Sequence, residues 1–215
     1  MVKSFSNMSN VNYVFYILRH PSVGFEELKN NKKGSLLIAL ISALLWYLSQ
    51  VFISTGTDFA FSTKRVEQVN VLLIMLFTLG LLLTVIIANW CFCTLLEGKG
   101  KMVDIVVVFC YSLIPYMIIS FLYSVLSWYM VLTEVAFLQY LMTLGYIWSG
   151  VLLFSGLMAI HQYTISKTLA SLFLTVLGTL IILFLCILIF SLAQQIIGFS
   201  ISLYNEILFR LSEKG

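Results

Sequence analysis

Five long stretches of this chain carry no charged side chain in their interiors, and that feature leaves very few folds open. Ser35–Ser54 is the first, and Val69–Leu96, Asp104–Leu132, Val135–Ile160 and Thr168–Ala193 follow. A run of about twenty apolar residues makes roughly 30 Å of helix, the depth of a bilayer's hydrocarbon layer. No water reaches a stray backbone N–H or C=O there, so only helices and closed barrels can cross. A barrel would show alternating segments of about ten residues, and the sequence has none. With 61% hydrophobic and 10% charged residues, the composition also lies outside the range of water-soluble domains. The expected fold is an all-α polytopic membrane protein with five transmembrane helices.

The runs divide the chain into a head (1–34), a five-helix domain (35–193) and a tail (194–215). In the head, Val11, Val14, Phe15 and Leu18 follow helical spacing, which predicts a short amphipathic helix over 10–19 on the membrane surface. His20-Pro21 ends it, and Ser22–Asn31 predicts a second short helix with Phe25 and Leu28 on its apolar side. Lys32-Lys33-Gly34 anchors the first span, so the head is expected to be docked. Its largely polar character is not that of a cleavable leader. In the tail, Ile197, Ile201, Tyr204, Leu208 and Leu211 recur at helical intervals beside Gln195, Ser202, Glu206 and Arg210. That mixture is too polar to span again and predicts an interfacial or helix-extending amphipathic segment.

An odd number of spans puts the termini on opposite sides, and lysine and arginine decide which. Lys3, Arg19, Lys29, Lys32 and Lys33 of the head fall on the same side as Lys99, Lys101 and Lys167. Lys64, Arg65, Arg210 and Lys214 fall on the other. The positive-inside rule then predicts a cytoplasmic N-terminus and an outer tail, in the plasma membrane.

Pro115 stands in the third run. It cannot donate to the carbonyl of Tyr111, so a kink is expected between Tyr111 and Pro115, with the Ser112 hydroxyl placed to relieve the turn. Asp104 can cap the start of the same span.

Nothing in the chain forms a catalytic constellation, and no cofactor or metal is expected. Gly98-Lys99-Gly100 lacks the spacing and the Lys-Ser/Thr ending of a phosphate loop, and reads as a turn back into the membrane. Cys91 and Cys93, two apart on a helix, point away from each other and cannot readily share an ion. His20 and His161 read as interfacial residues with ordinary hydrogen bonds rather than a ligand pair or proton relay. The absence of charge within the spans argues against an ion-coupled pump. A net charge of +3, scattered along the chain, does not suit nucleic acid. Two interaction surfaces are expected: His20, Pro21, Lys99, Lys101, His161, Gln162 and Lys167 on a mildly basic inner face, and Gln195, Glu206 and Arg210 on the outer tail. The inner face would suit a protein or anionic lipid heads.

Several short motifs carry a family likeness. They are H-P-S-V-G-F-E-E-L-K with K-K-G-S (His20–Ser35), A-N-W (Ala88–Trp90), L-L-E-G-K-G-K (Leu95–Lys101) and Y-S-L-I-P (Tyr111–Pro115). H-Q-Y-T-x-x-K-T (His161–Thr168) and Q-Q-I-I-x-F with E-I-L-F-R (Gln194–Arg210) continue the series. In this order they resemble the Yip family of five-span membrane proteins, in particular its bacterial branch. Glu97-Gly98 stands where members often carry Gly-Gly. The resemblance implies five membrane helices, a cytoplasmic N-terminus and no enzymatic activity. Similar eukaryotic proteins act in vesicle traffic and contact small GTPases, but this chain lacks the long acidic or proline-rich head of many of them. Similar bacterial proteins commonly accompany ATP-driven (ABC-type) carbohydrate importers. That implies an accessory or scaffold subunit partnered by the lipid bilayer and other importer subunits, the alternative being an autonomous channel or facilitator for small solutes.

Overall fold

The computed structural model describes residues 10–31, 34–58, 61 and 69–212, and every regular element among them is helical. Two short helices, α1 (Asn10–Arg19) and α2 (Pro21–Asn31), come first. Three spans are continuous: α3 (Leu36–Gly56), α4 (Val71–Leu95) and α7 (Val135–His161). The third span is divided into α5 (Met102–Ser112) and α6 (Ile114–Leu126), and the last is the opening part of α8 (Ile165–Ser212). All five are long and apolar enough to cross a bilayer.

The divided span is the centre of the bundle. Of its apolar stretch 61% is buried, against 28% for α7 and 17% for each of α3, α4 and α8. Val107, Val108, Phe109, Cys110 and Tyr111 are buried in succession, so α5 meets protein on every side. Ala39 and Ala43 of α3, Ile86 of α4, and Leu152, Leu157 and Ile160 of α7 close around it. Gly156 of α7 makes room for this contact, since a Cβ there would reach within 2.5 Å of Val108 Cγ1. Span starts are capped by short polar side chains, Asn70 Oδ1 accepting from Leu73 N–H at 3.1 Å and Asp104 Oδ2 from Lys101 N–H at 3.2 Å.

The expected break at Pro115 is present. Leu113 separates α5 from α6, and its N–H turns to the Tyr111 carbonyl. The Ser112 hydroxyl donates to the Val108 carbonyl at 2.7 Å, one turn back. The N–H of Tyr116 goes to Ser149 Oγ of α7 at 3.2 Å. A neighbouring helix thus satisfies a backbone group that lipid could not.

The head docks into the bundle. Tyr13, Val14, Ile17, Phe25 and Leu28 belong to the same core as α5 and α7. Phe25 and Leu28 face inward as the spacing predicts. The buried face of α1 differs from expectation, because Phe15 is 60% exposed while Tyr13 and Ile17 are covered. The reason is α2, which packs on α1 and draws that face toward the bundle and away from the surrounding phase. Tyr13 Oη locks the pair by donating to the Gly24 carbonyl at 2.7 Å. Val11's side chain and Lys32-Lys33 lie outside the described residues.

At the tail, α8 runs on without a break through residues 194–212 and totals 48 residues. The segment extends the last helix and is no separate element. Its early turns pack on α4 through Asn89 Nδ2 to Thr175 Oγ1 at 2.9 Å and a Cys93–Ser171 contact of 3.3 Å. Phe92 lies against Gly178, where a side chain would leave it no room.

Ser149→Ala should lower stability by about 1–2 kcal/mol, because it strands the Tyr116 N–H in a dry interior. Ser149→Thr, which keeps the hydroxyl acceptor, should avoid most of that loss. Thermal unfolding of the detergent-solubilised variants checks both.

Candidate functional site

The described residues with the most polar chemistry gather where α2, the α4–α5 loop and the α7–α8 turn meet, at the head end of the bundle. Two tight reversals build this place. α4 ends at Leu95, and Glu97 takes φ 60° so that the chain can turn into the glycine loop. α7 ends at His161, and Gln162 takes φ 58° before α8 starts. Left-handed backbone is uncommon outside glycine, so both positions are held by their surroundings.

His161 is 2% exposed and lies under the glycine loop. A Cβ on Gly98 would collide with His161 Nδ1, and one on Gly100 would stand 2.8 Å from its Cε1. The imidazole stacks on Tyr163 with centroids 5.1 Å apart and planes 17° off parallel. Tyr163 Oη donates to the Cys93 carbonyl at 3.1 Å, and Gly98 N–H donates to the same carbonyl at 2.7 Å. Burial, and next to it the Cys93 thiol, push the Tyr163 phenol up to about 12. Both ring nitrogens of His161 are buried without a hydrogen-bond partner.

Around this core lie the basic residues. Lys29 Nζ donates to the Ile160 carbonyl at 2.6 Å, capping the last turn of α7 with a cation where the helix dipole favours one. Burial first, then the nearby Lys99, hold the Lys29 ammonium below its ordinary pKa. Lys99 Nζ donates to Gln162 Oε1 at 3.0 Å, tying the glycine loop to the α7–α8 turn.

The expected inner surface is therefore divided. Lys99, Lys101, Gln162 and Lys167 are exposed, as is His20, which packs on Tyr16 at 5.2 Å; Pro21 is half-buried at the start of α2. His161 does not belong to that surface, because the two glycines let the loop backbone cover its ring. Lys29, Tyr163 and Cys93, unmarked as site residues by sequence reasoning, hold the place together. Their signal was available: Lys29, Tyr163 and the glycines all fall inside the quoted motifs. Cys91 is exposed and Cys93 buried, on opposite sides of α4 as their spacing requires. On the tail, Gln195 and Glu206 are exposed, and the Arg210 side chain lies outside the described residues.

No group of three or more metal-ligating side chains occurs among the described residues. What the arrangement does is mechanical: it staples two loops, α2 and the end of α7 together around a buried imidazole.

Gly100→Ala should destabilise the protein by about 1–3 kcal/mol through overpacking on the imidazole. In a His161→Ala background the same change should cost almost nothing, since the three nearest atoms to the added methyl all belong to that ring. Unfolding measurements on the four proteins of the cycle give the coupling.

In comparisons with known proteins, the Yip1 domain matches residues 15–204, a span that includes α2, the glycine loop, the Pro115 break and most of α8. No curated protein and no solved structure matches the chain.

Proposed function

The chain belongs to the Yip1 domain family, and from that premise we propose that it works as a non-enzymatic companion subunit for other membrane proteins. The observation that carries this reading is the bareness of α8. From Phe184 to Glu206 every residue is exposed, among them Phe184, Ile187, Ile189, Phe190, Ile196 and Phe199. Lipid can cover part of this surface, but 48 residues make roughly 72 Å of helix, far more than the hydrocarbon layer is deep. The remainder is an apolar, helical contact surface that suits another helix. α4, which packs on α8, is bare as well at Leu72, Leu76, Phe77 and Leu83.

The partner we propose, from the likeness to bacterial members of the family, is the membrane part of an ATP-driven carbohydrate importer. In the proposed orientation the N-terminus, the glycine loop and the α7–α8 turn are cytoplasmic, and the end of α8 is outside. The lysines support it, since Lys29, Lys99, Lys101 and Lys167 all belong to the head end of the bundle.

Two measurements test these statements. Single cysteines at positions 99 and 164, in a cysteine-free background, should stay unlabelled by an impermeant reagent added to intact cells; labelling would reverse the orientation. Purification from the native membrane in mild detergent should recover importer subunits, and deletion of the gene should reduce oligosaccharide uptake. Normal uptake with no importer subunit recovered would end the importer reading. Solute flux through the purified protein alone in liposomes would replace the companion with a channel.

A further inference from the structure

Between α2 and α7 a polar cleft of about 340 Å³ opens at the head end of the bundle, within the size range of small-ligand sites. Ser22, Glu26 and Lys29 line one wall, spaced so that they share a face of α2, and Ser155 and Gln162 stand on the other. The depth of this cleft identifies its surroundings. Gln162 caps α7 just past the end of the span, while Ser155 lies about 10 Å deeper along the helix axis. That interval covers the headgroup layer of a bilayer and the edge of its hydrocarbon.

The cleft itself holds one cation, Lys29, and one carboxylate, Glu26. Lys99 and Asp104 do not line it but stand within electrostatic reach of Lys29, one of each sign. Asp104 accepts from the Lys101 N–H and Lys99 donates to Gln162. Lys29 donates to the Ile160 carbonyl and has two further N–H groups. Glu26 is exposed at the mouth and forms no salt bridge with Lys29, although the two line the same cleft. A site with a cation and, one helical turn away on the same wall, an uncommitted carboxylate fits a ligand that carries both charges close together.

We propose that the α2–α7 cleft binds an aminophosphoester headgroup, its phosphate held by Lys29 and its primary ammonium by Glu26, with the Ser22 and Ser155 hydroxyls completing the contacts. A primary ammonium has three N–H groups to donate to a carboxylate, and a trimethylated one has none. The cleft therefore distinguishes phosphatidylethanolamine from phosphatidylcholine, although both are zwitterions. An anionic lipid leaves Glu26 unpaired and close to negative charge, so it is disfavoured in spite of the lysines.

Native mass spectrometry of the full chain in detergent, titrated with phosphatidylethanolamine, phosphatidylcholine and phosphatidylglycerol of the same acyl chains, tests the proposal. The expected result is at least a fivefold preference for phosphatidylethanolamine over both others. Glu26→Gln, a change at an exposed position with no structural bond to lose, should abolish that preference while leaving the unfolding temperature unchanged. Soluble phosphoethanolamine serves as the second arm. If it displaces the lipid at comparable concentration, the same chemistry is supported with a water-soluble source in place of a membrane one. Equal binding of all three lipids, tighter binding of phosphatidylglycerol, or an unchanged preference in Glu26→Gln would overturn the proposal. Lys29→Ala also removes the α7 cap, so Ser155→Ala provides the independent second variant. It should weaken phosphatidylethanolamine binding severalfold, and an unaltered affinity counts against the site.

Discussion

The contact of two side-chain-free residues with one imidazole determines how the head end of this molecule is put together. Gly98 and Gly100 let a loop backbone lie flat on His161, and that loop is the link between α4 and α5. His161 in turn is the last residue of α7 and stacks on Tyr163, which leads into α8. Four of the five spans are thus joined at one ring. Two buried nitrogens without partners cost about 1–3 kcal/mol each in such a place. The packing around the ring has to outweigh that cost, which is why a methyl group on either glycine would be felt.

Deeper in the bundle a different economy operates. Lipid offers no hydrogen bonds, so each irregular backbone group has to find a hydroxyl or an amide nearby. Ser149 serves the N–H freed at the Pro115 break, Ser112 doubles a carbonyl one turn behind it, and Thr175 engages Asn89 between α4 and α8. At the far end, Trp128 Nε1 donates to the Gly56 carbonyl at 2.6 Å and Ser127 Oγ accepts from Asp58 N–H at 3.0 Å, fastening α6 to α3. These polar contacts are short-range and geometrically demanding. They select one packing among the many that apolar helices of similar shape would permit.

The spans were legible in the sequence because the membrane imposes length and apolarity together, and their ends agree with the structure to within three residues except at the end of the third, where α6 stops at Leu126 and not Leu132, and at the end of the last helix. The broken third span was legible from Pro115 alone. The fate of His161 was not, since a histidine at the end of an apolar run has the same local signature whether it faces water or a glycine loop some sixty residues away. The face of α1 was misjudged for a related reason. Periodicity gives the stripe, but Tyr13 and Ile17 are chosen over Phe15 by α2, a neighbour that local spacing does not contain. The length of α8 was half legible: its tail keeps helical spacing, yet only the absence of a proline or a positive-φ residue between Ala193 and Ser212 lets the helix continue.

That continuity makes α8 a lever. Its base is gripped by α4 at Ser171, Thr175 and Gly178, a few turns from the Tyr163 corner, and its other end is some 50 Å further on. An arm of some 50 Å pivoting by about 5° moves its tip by about 4 Å. A rotation too small to disturb the packing around the histidine ring would therefore arrive at the far end of the helix as a sideways shift of several ångströms.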